Sequence, residues 1–395
     1  MSESAPRYRV LAAGIFSLIL GLGIARFAYT PMLPLMQRQA GLGVAAGGWL
    51  AAINYVGYLS GALIAALTSD LVLKDRLYRS GMILAVVTTA MMGLSTNVAV
   101  WAVSRYLAGL SSAAALLLGS GLILNWLMRN EHPSELGIHF SGLGLGIAGS
   151  AAAVASMSAC HLDWREQWLA LTAIGALLIV PALGWLPTPD RSAVTRTGQA
   201  LTDAPPSPRY LRLFLAAYFC AGVGYVVSAT FIVAVIDQLP GLEGRGNLVF
   251  LFIGLGVTAG GMFFDVVARR AGEINALFIA AALQIAGILL PLAGGLPLAL
   301  AGAILFGLTV NGLVSLVLTM AGRFYPTRPA KMMGKMTFSY GIAQAVAPAV
   351  TGMLATRFGG YRVGLYLAAV AMALCAALLW QLRRVDAQER RSTAA

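Results

Sequence analysis

Two arginines stand in stretches that are otherwise apolar. Arg26 lies in Gly21-Leu-Gly-Ile-Ala-Arg-Phe-Ala-Tyr-Thr-Pro31, and Arg105 lies in Ser104-Arg-Tyr-Leu-Ala-Gly109. A charge placed in hydrocarbon costs roughly 3 kcal/mol or more, so such a residue turns to a cavity or bundle interior and marks a substrate or ion path. The guanidinium is a fixed, always-charged fork that matches a carboxylate or phosphate. Of the 15 Asp and Glu residues, none falls clearly inside an apolar stretch. Asp237, at the outer end of the seventh stretch, is the acid nearest a cavity mouth. A carrier of cations would bury a carboxylate. Buried arginines without a buried acid point to an anionic partner, a small organic acid, with the partner's own carboxylate or Asp237 able to carry a proton.

Uncharged polar residues recur at helical spacing in other apolar stretches. Leu22, Arg26, Tyr29 and Leu33 share one helix face. Asn54 and Tyr58 lie one turn apart, beside Tyr55, and Gly57 and Gly61 form a small-xxx-small pair. Tyr218, Tyr225 and Ser228 follow in the seventh stretch, Asn311, Ser315 and Thr319 in the tenth, and Tyr340, Gln344 and Pro348 in the eleventh. Each set has two readings: it lines a cavity, or it makes hydrogen bonds between helices, since an amide or hydroxyl in lipid needs a partner. Arg105 is likewise either a ligand contact or an anchor for neighbouring carbonyls. His139, near the inner end of the fifth stretch, reads as a polar residue at the interface. Gly142, Gly144, Gly146 and Gly149 suit close helix packing.

The elements that must hold these residues follow from composition. The chain has 395 residues, 59% hydrophobic and 11% charged, with a mean hydropathy of +0.80. A soluble domain carries roughly 25% charged residues, so the chain is a polytopic membrane protein. Open sheets cannot span lipid, and the spans are helices. About twelve stretches have the length a span needs: 10–36, 46–68, 79–96, 98–127, 137–159, 167–187, 210–237, 247–268, 274–293, 297–320, 334–356 and 361–382. The first is too long for a signal peptide's apolar core and stays as a helix.

The net charge of +12 is a topology signal rather than a nucleic-acid signal. If both termini are cytoplasmic, only Arg38, Arg165, Arg245, Arg357 and Arg362 of the 27 basic residues face outward. Arg26 and Arg105 lie within spans, and the other 20 face inward. That bias orients the protein in its membrane, where lipid headgroups are the expected contact of the basic loops. Cys160, Cys220 and Cys375 have no metal or disulfide spacing. No Gly-x-x-x-x-Gly-Lys-Ser/Thr run is present, so no cofactor and no metal is expected.

Residues 188–209 interrupt the apolar pattern with five prolines nearby and several charges, which makes them a cytoplasmic linker. A six-helix bundle over 1–187 precedes it, and a second over 210–395 ends in a short basic tail. Six-plus-six halves are a transporter architecture. A repeated motif supports the division. Ala66-Leu-Thr-Ser-Asp70 is followed by Lys74, Arg76 and Arg79. Gly261-Met-Phe-Phe-Asp265, 195 residues later, is followed by Arg269 and Arg270. An Asp at a helix end beside basic residues can latch one conformational state.

These motifs resemble those of the major facilitator superfamily (MFS). Gly261 and Asp265 match its loop motif, Ala66 and Asp70 match it with Ala for Gly, and Arg105 with Gly109 matches its fourth-helix motif. Gly23-Ile-Ala-Arg-Phe-Ala-Tyr-Thr-Pro-Met-Leu-Pro34 and Gly341-Ile-Ala-Gln-Ala-Val-Ala-Pro348 look like the YbfB/YjiJ group. The resemblance implies an all-α fold of twelve helices in two pseudo-symmetric bundles, a monomer, and a secondary transporter of a small molecule rather than an enzyme. It implies a cavity lined by Arg26, Tyr29, Asn54, Tyr58, Arg105, Tyr225, Asn311, Tyr340 and Gln344, a latch at Asp70, Asp265, Arg269 and Arg270, and proton coupling at Arg105 or Asp237. The fifth span lacks the proline of the superfamily's antiporter motif, which weighs against drug/proton exchange. Multidrug efflux is the alternative within transport. An intramembrane enzyme or a non-transporting sensor is the alternative outside it.

Overall fold

Hydrocarbon offers no hydrogen bonds to the backbone, so every apolar run closes its amides within a helix. The computed structural model describes residues 7–189, 194–237, 239–242, 245–358 and 362–394. In chain order they form α1 (Arg7–Leu18), a π-helical stretch (Ile19–Phe27), α2 (Tyr29–Gln39), α3 (Val44–Leu67), α4 (Leu71–Leu94) and α5 (Val98–Ala113). A second π-helical stretch (Ala114–Gly119), α6 (Ser120–Arg129), α7 (Gly137–Ala159) and α8 (Trp164–Gly184) complete the first half. After the linker come α9 (Pro208–Asp237), α10 (Gly246–Ala271), α11 (Glu273–Leu289), α12 (Leu296–Arg323), α13 (Pro329–Phe358) and α14 (Arg362–Ala394). Eleven helices among the described residues are long and apolar enough to cross a membrane. The remaining expected span, 334–356, falls in α13, several of whose side chains lie outside the described residues.

Polar residues set the helix starts. Asp70 caps α4, accepting from the amides of Val72 and Leu73 at 2.7 and 3.2 Å. Asn97 caps α5. Asp163 and Glu166 form a reciprocal capping box on α8, which satisfies two otherwise orphaned amides.

The chain divides into two compact units, Met1–Asp203 with Ala321–Lys335, and Ala204–Met320 with Met336–Ala395. In the first unit, α3 and α5 pack with their backbones nearly touching. A Cβ on Gly57 would stand 2.0 Å from the carbonyl oxygen of Tyr106, and one on Gly109 would stand 2.2 Å from that of Asn54. At one end of this unit Trp101 and Trp164 meet edge to face at 5.6 Å. The Trp101 indole donates to the Met92 carbonyl, which gives this buried ring's N–H a partner. In the second unit α9 runs along α14, and α14 packs on α11.

The linker is more structured than a proline-rich spacer requires. A bridge joins Val194 and Ala200, and the Arg196 amide donates to the Arg129 carbonyl at the end of α6. Thr197 donates to Glu131, which holds that carboxyl below the usual carboxylate range. Asp203 accepts from the Thr327 hydroxyl at 2.7 Å and pairs with Arg328 at 3.1 Å.

Gly109→Val is expected to destabilise the protein by about 2 kcal/mol or more, because the added atoms meet backbone that cannot yield. Gly149→Ala, where nothing lies within 4 Å of the new Cβ, is expected to change stability by no more than about 0.5 kcal/mol. Thermal melting of the two purified variants in detergent checks the contrast.

Candidate functional site

The first span is not a continuous α-helix. Over Ile19–Phe27 its winding loosens, and the Ala28 amide bonds the carbonyl five residues back, on Gly23, at 2.8 Å. Such π segments concentrate at functional positions. Pro31 has no N–H and leaves an acceptor in the preceding turn without a backbone donor. Arg105, from α5, supplies donors to two other carbonyls of the loosened turn. Its Nη1 donates to the Ala25 carbonyl at 3.0 Å, and both Nη atoms reach the Arg26 carbonyl at 3.3 Å. The Tyr29 ring lies 4.4 Å from the Arg105 guanidinium carbon, and the Tyr29 hydroxyl donates to the Gly47 carbonyl. Of the two readings of Arg105, the geometry displays the carbonyl anchor.

Arg26 leaves the same loosened turn and is only 6% exposed. Its guanidinium carbon lies 4.3 Å from the ring centre of Tyr58, 4.8 Å from Tyr55 and 5.2 Å from Phe27. No carboxylate pairs with Arg26 among the described residues. Each desolvated ring contact is worth on the order of 2 kcal/mol, which offsets part of the cost of burying the charge. A ring supplies no negative charge, whereas an incoming carboxylate supplies both charge and lone pairs.

Asn54 does not point its donor at this box. Its Nδ2 donates to the Arg105 carbonyl at 2.8 Å, tying α3 to α5. Sequence reasoning singled out Tyr58 and Tyr55 but passed over Phe27, the next residue along the chain. That winding also breaks the regular spacing expected from Leu22 through Leu33.

In the second unit, four rings from three helices form a ladder. Tyr218 stacks on Tyr340 at 4.6 Å, Tyr340 on Tyr225 at 5.8 Å, and Tyr225 on Phe306 at 6.4 Å with planes 6° apart. Gln344, one turn beyond Tyr340, is buried, and its Oε1 has no hydrogen-bond partner among the described residues. Asn311 makes an interhelical bond, Nδ2 to the Val257 carbonyl at 2.7 Å. Phe306 escaped the sequence reading because it repeats with no polar neighbour. The side chains of Asp237 and Pro348 lie outside the described residues.

The two motif aspartates occupy different local structures. Asp70 sits at a helix N-cap, and Lys331 reaches the adjacent Ser69 hydroxyl at 3.1 Å. Asp265 is not at a helix end as expected; it lies inside α10, which continues to Ala271 with Arg269 and Arg270 in its last turn. His139 stands in the first turn of α7. It is fully buried, with Nε2 2.7 Å from the Ser120 hydroxyl, because α7 packs so closely that a Cβ on Gly14 would lie 2.1 Å from its Nδ1.

Helices of this number, a charged residue in a loosened first helix, and an arginine crossing from the fourth span make a transporter's parts. Residues 18–380 match the family described as "Uncharacterised MFS-type transporter YbfB". The chain belongs to that MFS family. It is an integral membrane protein and a transporter of MFS type. It is 26% identical over 388 residues to the "Uncharacterized 38 kDa protein in 23S RNA operon" of Thermoproteus tenax, covering 96% of this chain and 97% of that protein. It is 26% identical over 311 residues to the "Probable sulfoacetate transporter SauU" of Cupriavidus necator, covering 70% of each. Its fold is similar to that of the human organic anion transporter MFSD10, with a TM-score of 0.72 at 18% identity, over 95% of this chain and 100% of that one.

Arg105→Gln is expected to cost about 1–3 kcal/mol of stability, since it strips donors from two buried carbonyls. Arg26→Gln is expected to stay within about 1 kcal/mol of the parent, because the charge it removes has no ionic partner to strand. Melting temperatures of both variants, measured in one detergent, separate anchor from ligand.

Proposed function

We propose that this transporter carries a small organic anion, with Arg26 as the cation that binds it. The observation that carries the reading is the Arg26 guanidinium, buried among Tyr58, Tyr55 and Phe27 without a carboxylate among the described residues. A cation kept out of water in this way gains most from a ligand that brings its own negative charge. The relative from Cupriavidus necator, named for an organic anion, supports the same class. Movement follows alternating access, in which the site opens to one side and then the other. A proton or other ion gradient, or the solute's own gradient, drives it. Substrate binding must favour some conformations over others for this to work. The latch proposed at Asp70, Asp265, Arg269 and Arg270 is where that preference is set, and Asp237 is the carboxylate proposed for proton coupling. The protein sits in the bacterial inner membrane as a monomer, with both termini in the cytoplasm.

One observation favours a second reading. The Tyr218–Tyr340–Tyr225–Phe306 ladder suits flat lipophilic cations, as a multidrug exporter would need. Arg26 would repel them.

Thermal stabilisation by panels of organic anions and lipophilic cations decides between the readings. A ligand that binds the native state at a hundred times its Kd stabilises it by about 2.7 kcal/mol. The expected outcome is stabilisation by anions that disappears in Arg26→Ala. Stabilisation by lipophilic cations alone, unchanged in that variant, would discard the anion reading.

A further inference from the structure

At one end of the second unit, a cavity of about 610 Å³ opens between the start of α9 and the end of α14. Arg209 and Arg212 enter it from the first two turns of α9, and Arg384 enters from α14 between Gln381 and Gln388. Leu213 and Val385 supply its apolar lining. None of the three guanidiniums forms an ion pair among the described residues. Arg212 donates to the Pro208 carbonyl at 3.3 Å. The Arg384 guanidinium carbon lies 3.5 Å over the Trp380 ring. A nearby acid, Glu389, is engaged by the Ser207 hydroxyl, and Ser207 also accepts from the Tyr210 amide. Three guanidiniums therefore share one open pocket, and such a cluster favours an anion.

The approach to the pocket is apolar. On α14, Tyr366, Val370 and Leu374 are more than half exposed and recur every four residues. The same helix face continues through Gln381 and Arg384 to Gln388. Trp380, 45% exposed, is the residue type that settles at the boundary between acyl chains and headgroups. An apolar stripe leading into a cluster of arginines past a tryptophan matches an amphiphile with a negative head.

We infer that this pocket binds the phosphate of an anionic phospholipid, with the acyl chains lying along the exposed face of α14. On the orientation set by the lysine and arginine bias, the pocket faces the inner leaflet, and basic pockets between helices on that side take such headgroups. A zwitterionic choline head would bring its quaternary ammonium against three guanidiniums. A diester phosphate with an uncharged or second anionic head would not. The lipid ties the first two turns of α9 to the last turns of α14. This site is independent of Arg26 and of the transported solute.

Native mass spectrometry of the full-length protein, released from mixed phosphatidylglycerol and phosphatidylcholine, tests the inference. One basic residue near an anionic lipid surface is worth about fivefold in binding. The parent is expected to retain phosphatidylglycerol at least tenfold over phosphatidylcholine, and Arg209→Gln/Arg212→Gln/Arg384→Gln is expected to lose that preference. Gln381→Glu/Gln388→Glu adds charges of the wrong sign at exposed positions. It should lower retention about tenfold, and it decides the matter should the triple variant not fold. Equal retention of the two lipids by the parent would overturn the inference. So would full retention by a folded variant, or a melting shift from inorganic phosphate as large as that from phosphatidylglycerol.

Discussion

The guanidinium of Arg105 against the carbonyls of Ala25 and Arg26 is the contact on which the first unit turns. A membrane helix cannot leave an acceptor bare, because no water is present to fill it. The π winding over Ile19–Phe27 departs from the regular α ladder, and the carbonyls of Ala25 and Arg26 take side-chain donors. An arginine from a helix 79 residues further along the chain supplies the donors. The exchange satisfies both sides. The carbonyls gain charge-assisted bonds, and the buried cation gains acceptors and a tyrosine ring.

The remaining contacts of that region hold the arginine where it must be. Asn54 fixes the Arg105 backbone through its carbonyl. Gly57 and Gly109 let α3 and α5 approach until a single methyl would collide with a carbonyl oxygen. Tyr29 reaches from the first span to the start of α3. Three helices are thereby locked around one turn, and Arg26 projects from that turn into its cluster of rings. The two arginines were alike in the sequence, each a lone charge in an apolar run. Structure separates them by what their guanidiniums touch: backbone carbonyls for one and aromatic rings for the other.

Much of the fold was legible in the sequence, because hydropathy, proline density and loop charge are local properties. The helical spans follow from such windows, and the Gly57–Gly61 spacing announced a tight helix contact. The features that eluded the sequence depend on partners far along the chain. The donor role of Arg105 needs the position of the first span. The burial of His139 needs the closeness of α1 and α7. Phe306 joins the aromatic ladder only because two other helices bring tyrosines alongside it. The motif repeat misled in one respect. Asp70 and Asp265 are equivalent by spacing, but α3 stops before its aspartate, and α10 runs through its own. The linker's tight turn, too, depends on a docking point at the end of α6 that no local pattern announces.

The π winding at Ile19–Phe27 has a mechanical meaning as well. A π turn holds a surplus residue compared with the roughly 3.6 of an α turn. Absorbing one surplus residue into regular winding would swing everything on one side of it by about 100° and slide it about 1.5 Å along the axis. Arg26 sits within the stretch, and α2, with Pro31 in its first turn, follows it. The first span thus contains a stored twist. Releasing it would carry the Arg26 side chain away from Tyr55 and Tyr58 while α1 and α2 each stayed rigid, so reorienting the charge needs no hinge in any loop.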